Sequence, residues 1–358
     1  MATSPGTSCS VAHRWAIDPC SFRRNYKEVL SGFSEWEQKE HASDWMLLPE
    51  NCGTGLGIDE TSLHDDLFTI LSNKDGHGKS GTIVAMVRGT KSSNVIARLQ
   101  KLSEQQRLAV TEVTMDFSDS MMRIVRAVFP NATIIIDCFH IIRRCGEAVE
   151  EIRLKEKRNA IKEQNKARAE HRKKLVQRAK ARKAYRRKHP KTYPGKKRGR
   201  KPSRLSERFI PEELPNGDTK TEPLTRSRGL LSMSRDKWSE SQKIRARLLF
   251  ELYPKIKGAY DIVDNLRSIF RDKKPDRDGA REKLLQWYQK VADCTLREIK
   301  SARDTIRNKE SEVLNYFINR SINAAAESLN SKIKSFRSQL HGVSDLPFFM
   351  FRLSVIFG

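Results

Sequence analysis

Three aspartates stand where an apolar run gives way to polar residues: Asp59 closes the run from Gly55, Asp116 follows Val110 to Met115, and Asp137 follows Ala132 to Ile136. A fourth acid, Glu327, lies far downstream in SINAAAESLNSKIKSF, framed by Asn323, Asn330 and Lys334. Carboxylates are hard oxygen ligands suited to Mg²⁺ or Mn²⁺. Gathered at the mouths of strands, such acids can hold two ions about 4 Å apart, one activating the attacking oxygen and one stabilising the leaving oxygen of a phosphoryl transfer. Spacing leaves two readings of Glu327 open. At about 100° per residue, Ile322, Ala326, Leu329, Ile333 and Phe336 share an apolar stripe, and Asn323, Glu327, Asn330 and Lys334 share the neighbouring arc. That arc is either a ligand-bearing face or the solvated side of an amphipathic helix.

The elements that must position these acids alternate between strand and helix signals. Gly55 to Asp59, Leu67 to Ser72 and Thr82 to Val87 read as three strands, each apolar or β-branched and bounded by turn residues. Val95, Leu99 and Leu102 then recur at helical spacing before a fourth strand, Val110 to Met115. Ser118 or Asp119 can cap the next helix, whose face is Met122, Val125 and Phe129, and the cap reading of Asp119 outweighs a ligand reading. Ala132 to Ile136 reads as a strand buried on both faces. Glu60, next to Asp59, is expected on the opposite side of its strand. The order predicts a mixed α/β sheet covered by helices.

The chain has 358 residues, enough for two domains or one domain with a large insertion, and its 37% hydrophobic content excludes a wholly disordered chain. No run approaches the roughly 20 apolar residues of a membrane span. The first thirty residues show no secretory signal, so a cytoplasmic protein, nucleoid-associated when bound to DNA, is expected. The cysteines, with no CxxC, read as ordinary thiols; Cys138-x-His140-x4-Cys145 is the nearest approach to a metal pattern.

With 69 Lys and Arg against 44 Asp and Glu, the net charge is +25, which points to a polyanionic partner. Arg153 to Arg208 alone carries 25 basic residues and four acids, and the rest of the chain is close to balance. Glu147 to His189 favours helix but lacks an apolar stripe. A Pro- and Gly-rich irregular connection follows from Pro190 to Pro223. From Leu224 the helical pattern returns on the faces Ile244, Leu248, Leu252; Ile256, Tyr260, Val263; Leu284, Trp287, Val291; and Leu296, Ile299, Ile306. Within the arm, KKRGRKPSR resembles an AT-hook, although Lys201 stands where that motif has Pro; a solvated or phosphate-binding loop is the favoured reading, with Lys196, Lys197, Arg198, Arg200 and Lys201 as its candidate DNA contacts.

Four ordered blocks carry a family resemblance: GLGIDET; TMDFSDSMMRIVRAVFPNATIIIDCFHIIRR; RSRGLL; and NAAAESLNSKIKSFRSQLHGVSDLPFFMFRLSVIF. From about Gly55 to Gly358 the chain resembles the catalytic region of the ISL3 group of insertion-sequence transposases, which are DDE recombinases on an RNase H-like fold. The resemblance implies metal-dependent cleavage at element ends and strand transfer into target DNA. It also implies Asp59, Asp116 and Glu327 as the metal-binding triad for Mg²⁺ or Mn²⁺, with Asp137 as the alternative second acid. Arg143 and Lys334 are expected to contact DNA; His140 is expected to do so or to make a structural hydrogen bond. The implied organisation is a short N-terminal segment (1–54), a first core part (55–146), a basic helical arm and loop (147–223), a helical insertion (224–318) and the last core helices (319–358). Residues 1–54 hold no zinc module with paired cysteines, so a separate end-recognition module is expected, and a homodimer on DNA fits the pairing of two ends. A catalytically inactive or truncated copy that only binds DNA, and a nuclease of the same fold, are the competing readings.

Overall fold

The computed structural model describes residues 12–63, 66–189 and 208–358. Its sheet comprises β1 (Trp45–Leu47), β2 (Gly55–Leu63), β3 (Asp66–Asn73), β4 (Ile83–Arg88), β5 (Glu112–Met115) and β6 (Thr133–Ile136), in the order β1-β4-β3-β2-β5-β6. β1 to β4, β4 to β3 and β3 to β2 pair antiparallel, whereas β2, β5 and β6 run parallel. This is a mixed α/β, RNase H-like sheet with one additional edge strand. The three residues of β1 are too few to show a period, so the sequence pattern does not announce them.

Helices supply the crossovers. After α1 (Pro19–Asn25), α2 (Ser92–Leu99) and α3 (Glu104–Ala109) connect β4 to β5, and α4 (Asp119–Val128) connects β5 to β6. Ser118 caps α4 through its side chain, and Asp119 instead pairs with Lys309 at 2.5 Å. Beyond β6 runs α5 (Cys138–Lys188), 51 residues long. There follow α6 (Thr221–Arg226), α7 (Arg228–Ser232), α8 (Glu240–Leu252), α9 (Pro254–Arg271), α10 (Arg277–Asp293), α11 (Arg297–Arg307), α12 (Glu310–Leu314), α13 (Tyr316–Asn319), α14 (Ala324–Gln339) and α15 (Leu346–Phe357).

Two compact units emerge. One gathers the sheet up to residue 141 with 272–283 and 305–358; the other gathers 142–271 and 284–304. Segments 272–283 and 305–318, read from sequence as part of the helical insertion, thus sit in the unit that holds the sheet.

In the sheet unit, Leu329, Ile333 and Phe336 of α14 and Phe349, Met350 and Leu353 of α15 are buried with Phe68, Ile70 and Met86. Ile322, expected on the same stripe, is 46% exposed because it lies ahead of the first helical turn and off the rotation of α14. In the other unit, Val263, Leu284, Trp287, Val291 and Ile299 are buried as their spacing requires. Ile244 is 66% exposed, however; α8 turns Ala246 and Leu249 inward instead.

Gly57 is what lets α14 approach β2. A Cβ there would lie 2.8 Å from Asn323 Oδ1 and 3.2 Å from Ser72 Oγ. Asn323 is 1% exposed, and its Oδ1 already accepts from Thr114 Oγ1 at 3.1 Å, so it has little room to yield. Gly57→Ala is expected to lower stability by about 1–3 kcal/mol through overpacking, read as a lower urea midpoint with an unchanged slope.

Candidate active site

Asp59 does not end β2. On the β3 side pairing continues from Asp59↔Ile70 to Leu63↔Asp66, but on the β5 side it stops at Ile58↔Met115. Asp59 therefore stands one residue past the parallel pairing, and Asp116 directly follows the residue that closes it. Burial drives the Asp59 carboxyl up to a pKa of about 6, and the charges of Asp116 and Glu327 push the same way; the Glu60 N–H, which donates to Asp59 Oδ1 at 2.7 Å, and His140 oppose them. Asp59 thus feels the charge of Asp116 from the neighbouring strand and that of Glu327 from the first turn of α14. Glu60 is also raised, first by burial and then by the charge of Asp116.

Asp116 and Asp137 look alike in sequence, each closing a strand, but their oxygens have different partners. Asp137 is 3% exposed; its Oδ1 accepts from the Phe139 N–H at 2.8 Å and its Oδ2 from the Asn323 N–H at 2.9 Å. It fastens the start of α5 to the start of α14. Asp116 Oδ1 is buried without a well-formed hydrogen bond, and His140 Nε2 stands 3.0 Å from it. Contact with the Asp116 carboxylate raises the His140 pKa, burial opposes this, and the charges of Asp137 and Asp59 add to the rise. Asp137→Ala strands the buried Asn323 N–H and the partly buried Phe139 N–H and is expected to cost about 2–4 kcal/mol, whereas Asp116→Ala loses the His140 contact but relieves a like charge on Asp59 and should cost less. Thermal melts of the two variants distinguish these outcomes.

Two supporting groups escaped the sequence reading. Asn330, 7% exposed, donates from Nδ2 to Asp59 Oδ2 at 2.5 Å, while its own Oδ1 has no partner. Its place on the Glu327 arc was the available signal; its partner on β2 was not. Glu112, on β5, accepts from Lys74, Ser321 and Asn319, which outweigh its burial and hold its pKa below the usual range. This network anchors the turn that leads into α14.

Among the other predicted residues, Lys334 is exposed on α14. Arg143 belongs to the second unit, is 62% exposed and faces Glu147 at 3.4 Å. Lys196, Lys197, Arg198, Arg200 and Lys201 lie outside the described residues. Burial pushes the Cys138 thiol up to about 11 and the Cys145 thiol up to about 12, which disfavours the thiolate a metal would need.

The donor chemistry at Asp59 and Asp116 fits a hard divalent cation: both are carboxylates, and the charge of Asp116 adds to the burial that raises Asp59. Among the described residues no group of three or more His, Cys, Asp or Glu side chains is placed so that it could hold a metal ion. Mg²⁺ is commonly bound through one or two carboxylates together with substrate phosphate. No helix among the described residues is long and apolar enough to cross a membrane.

The model of an ISL3-group DDE family, described as transposase, matches residues 56–353. No curated protein matches the chain.

Proposed function

This chain belongs to the ISL3 group of DDE transposases, and from that membership we propose that it cleaves DNA at insertion-sequence ends and joins the freed 3′ ends to target DNA. The observation that carries the reading is half-buried Asp59, which carries the electrostatic load of both Asp116 and Glu327. In this reading Asp59 and Asp116 hold Mg²⁺ or Mn²⁺, and Glu327 completes the triad from the first turn of α14. The bound ions supply Lewis acidity at the attacking and leaving oxygens. Asn330 fixes the orientation of Asp59, and His140 restrains Asp116, so the acids meet the substrate with little rearrangement. Water attacks the phosphodiester at the element end, and the released 3′-hydroxyl then attacks the target strand. No covalent protein–DNA intermediate enters, so no Ser or Tyr nucleophile is assigned. Asp137, with both oxygens committed to backbone N–H groups, acts as a structural clamp.

The test is cleavage and joining of supercoiled and linear DNA by the purified chain with Mg²⁺, Mn²⁺ or EDTA, beside Asp59→Asn and Glu327→Gln. Metal-dependent joined products that vanish in both variants are expected. Cutting without joining would replace the proposal with a nuclease, and salt-sensitive binding without cutting would replace it with an inactive copy.

A further inference from the structure

Phe139 is an exposed aromatic ring one residue before His140, whose Nε2 stands 3.0 Å from Asp116 Oδ1. It is 57% exposed although burying a Phe side chain is worth about 1.5–3 kcal/mol. Its neighbours set it apart from a stray surface apolar group. Its N–H is held by Asp137 Oδ1, which fixes the backbone in the first turn of α5. Its ring meets that of His140 at 5.6 Å between centroids and 85° between planes, and His140 in turn touches Asp116. Phe117, which follows Asp116, lies instead under the Lys309 ammonium at 4.5 Å.

A ring held at a helix start, one residue from the histidine that contacts Asp116, is suited to a flat apolar partner adjoining a phosphate held at the acids. A nucleobase is such a partner, and stacking on an aromatic ring is tolerant of base identity. A base inside a duplex offers no free face, so the ring selects an unpaired one. Resting on the transposase reading, we propose that Phe139 is a positioning residue that stacks on an unpaired base next to the scissile phosphate and so sets which phosphodiester reaches Asp59 and Asp116.

The probes are 20-bp DNA hairpins carrying one unpaired 2-aminopurine, or an abasic site at the same position, bound to the full chain in Ca²⁺ and followed by anisotropy and 2-aminopurine fluorescence. The unsubstituted chain is expected to prefer the base over the abasic probe by about 5- to 100-fold and to quench the fluorophore. Phe139→Ala should lose both the preference and the quench, with an unchanged melting temperature, and Phe139→Trp should keep them. Equal affinity for the two probes, or quenching that survives Phe139→Ala, overturns the proposal. Cleavage of the same hairpins in Mn²⁺ separates the two levels of inference. Absent cleavage with intact base preference counts against the transposase reading alone; intact cleavage with no base preference counts against the role of Phe139 alone.

Discussion

In metal-free buffer at pH 7.5, Asp59→Asn melts about 3–4 °C above the unsubstituted chain and cuts no DNA. The Asp59 carboxyl has its pKa raised from 3.8 to about 6 in the folded chain. A raised acid contributes stability below its unfolded pKa and loses that contribution as pH rises through the folded value. At pH 7.5 ionised Asp59 therefore costs on the order of 2–3 kcal/mol, which an uncharged side chain recovers. Asparagine places an NH₂ where one carboxylate oxygen had accepted, and Asn330 can turn its unpartnered Oδ1 to meet it. The advantage of the variant should fade as the pH is lowered from 7 to 4. Saturating Mg²⁺ or Mn²⁺ should stabilise the unsubstituted chain by mass action, about 2.7 kcal/mol at a hundredfold excess over Kd, and the variant far less. Equal melting of the two proteins across that pH range, or equal stabilisation by metal, would show that the strain at Asp59 is not what the structure indicates.

The main sheet strands were legible in the sequence because β-branched runs broken by turn residues have few other stable fates. Asp59 was legible as a residue, though not as a position: the apolar run stops there, but hairpin pairing with β3 carries β2 on to Leu63, and pairing across a sheet leaves no mark in one strand's composition. Asp116 and Asp137 have the same local signature. What separates their environments is the destination of the Asn323 and Phe139 N–H groups, a fact of tertiary structure. The same holds for Asn330, whose partner Asp59 is 271 positions away. On α8, Ile244, Leu248 and Leu252 make a sound helical stripe, yet burial follows Ala246 and Leu249, because the surrounding helices choose among several available faces.

Raising the salt concentration from 50 to 200 mM should weaken binding to a random-sequence 30-bp duplex by about 10³-fold or more, as expected when at least six phosphates are neutralised. The basic helix α5 is the source of this expectation. From Lys155 to Lys188 it carries 16 Lys and Arg against three acids, over about 50 Å of helix. Only Ala160 and Leu175 in that stretch are buried, so its stability owes little to an apolar face and its cations are presented to solvent. Replacing the exposed Lys173, Lys174, Lys180 and Lys183 by Gln keeps helix propensity and removes four charges. If all four neutralise phosphates, the slope of log K against log salt becomes shallower by about 3.6, and affinity at 0.1 M salt falls by on the order of a thousandfold. An unchanged slope would remove α5 from the DNA interface. Because these lysines belong to the second compact unit and the acids to the first, the substitutions should leave metal-induced stabilisation intact. Loss of affinity with retention of the metal response would separate generic phosphate binding by the arm from the chemistry at the sheet.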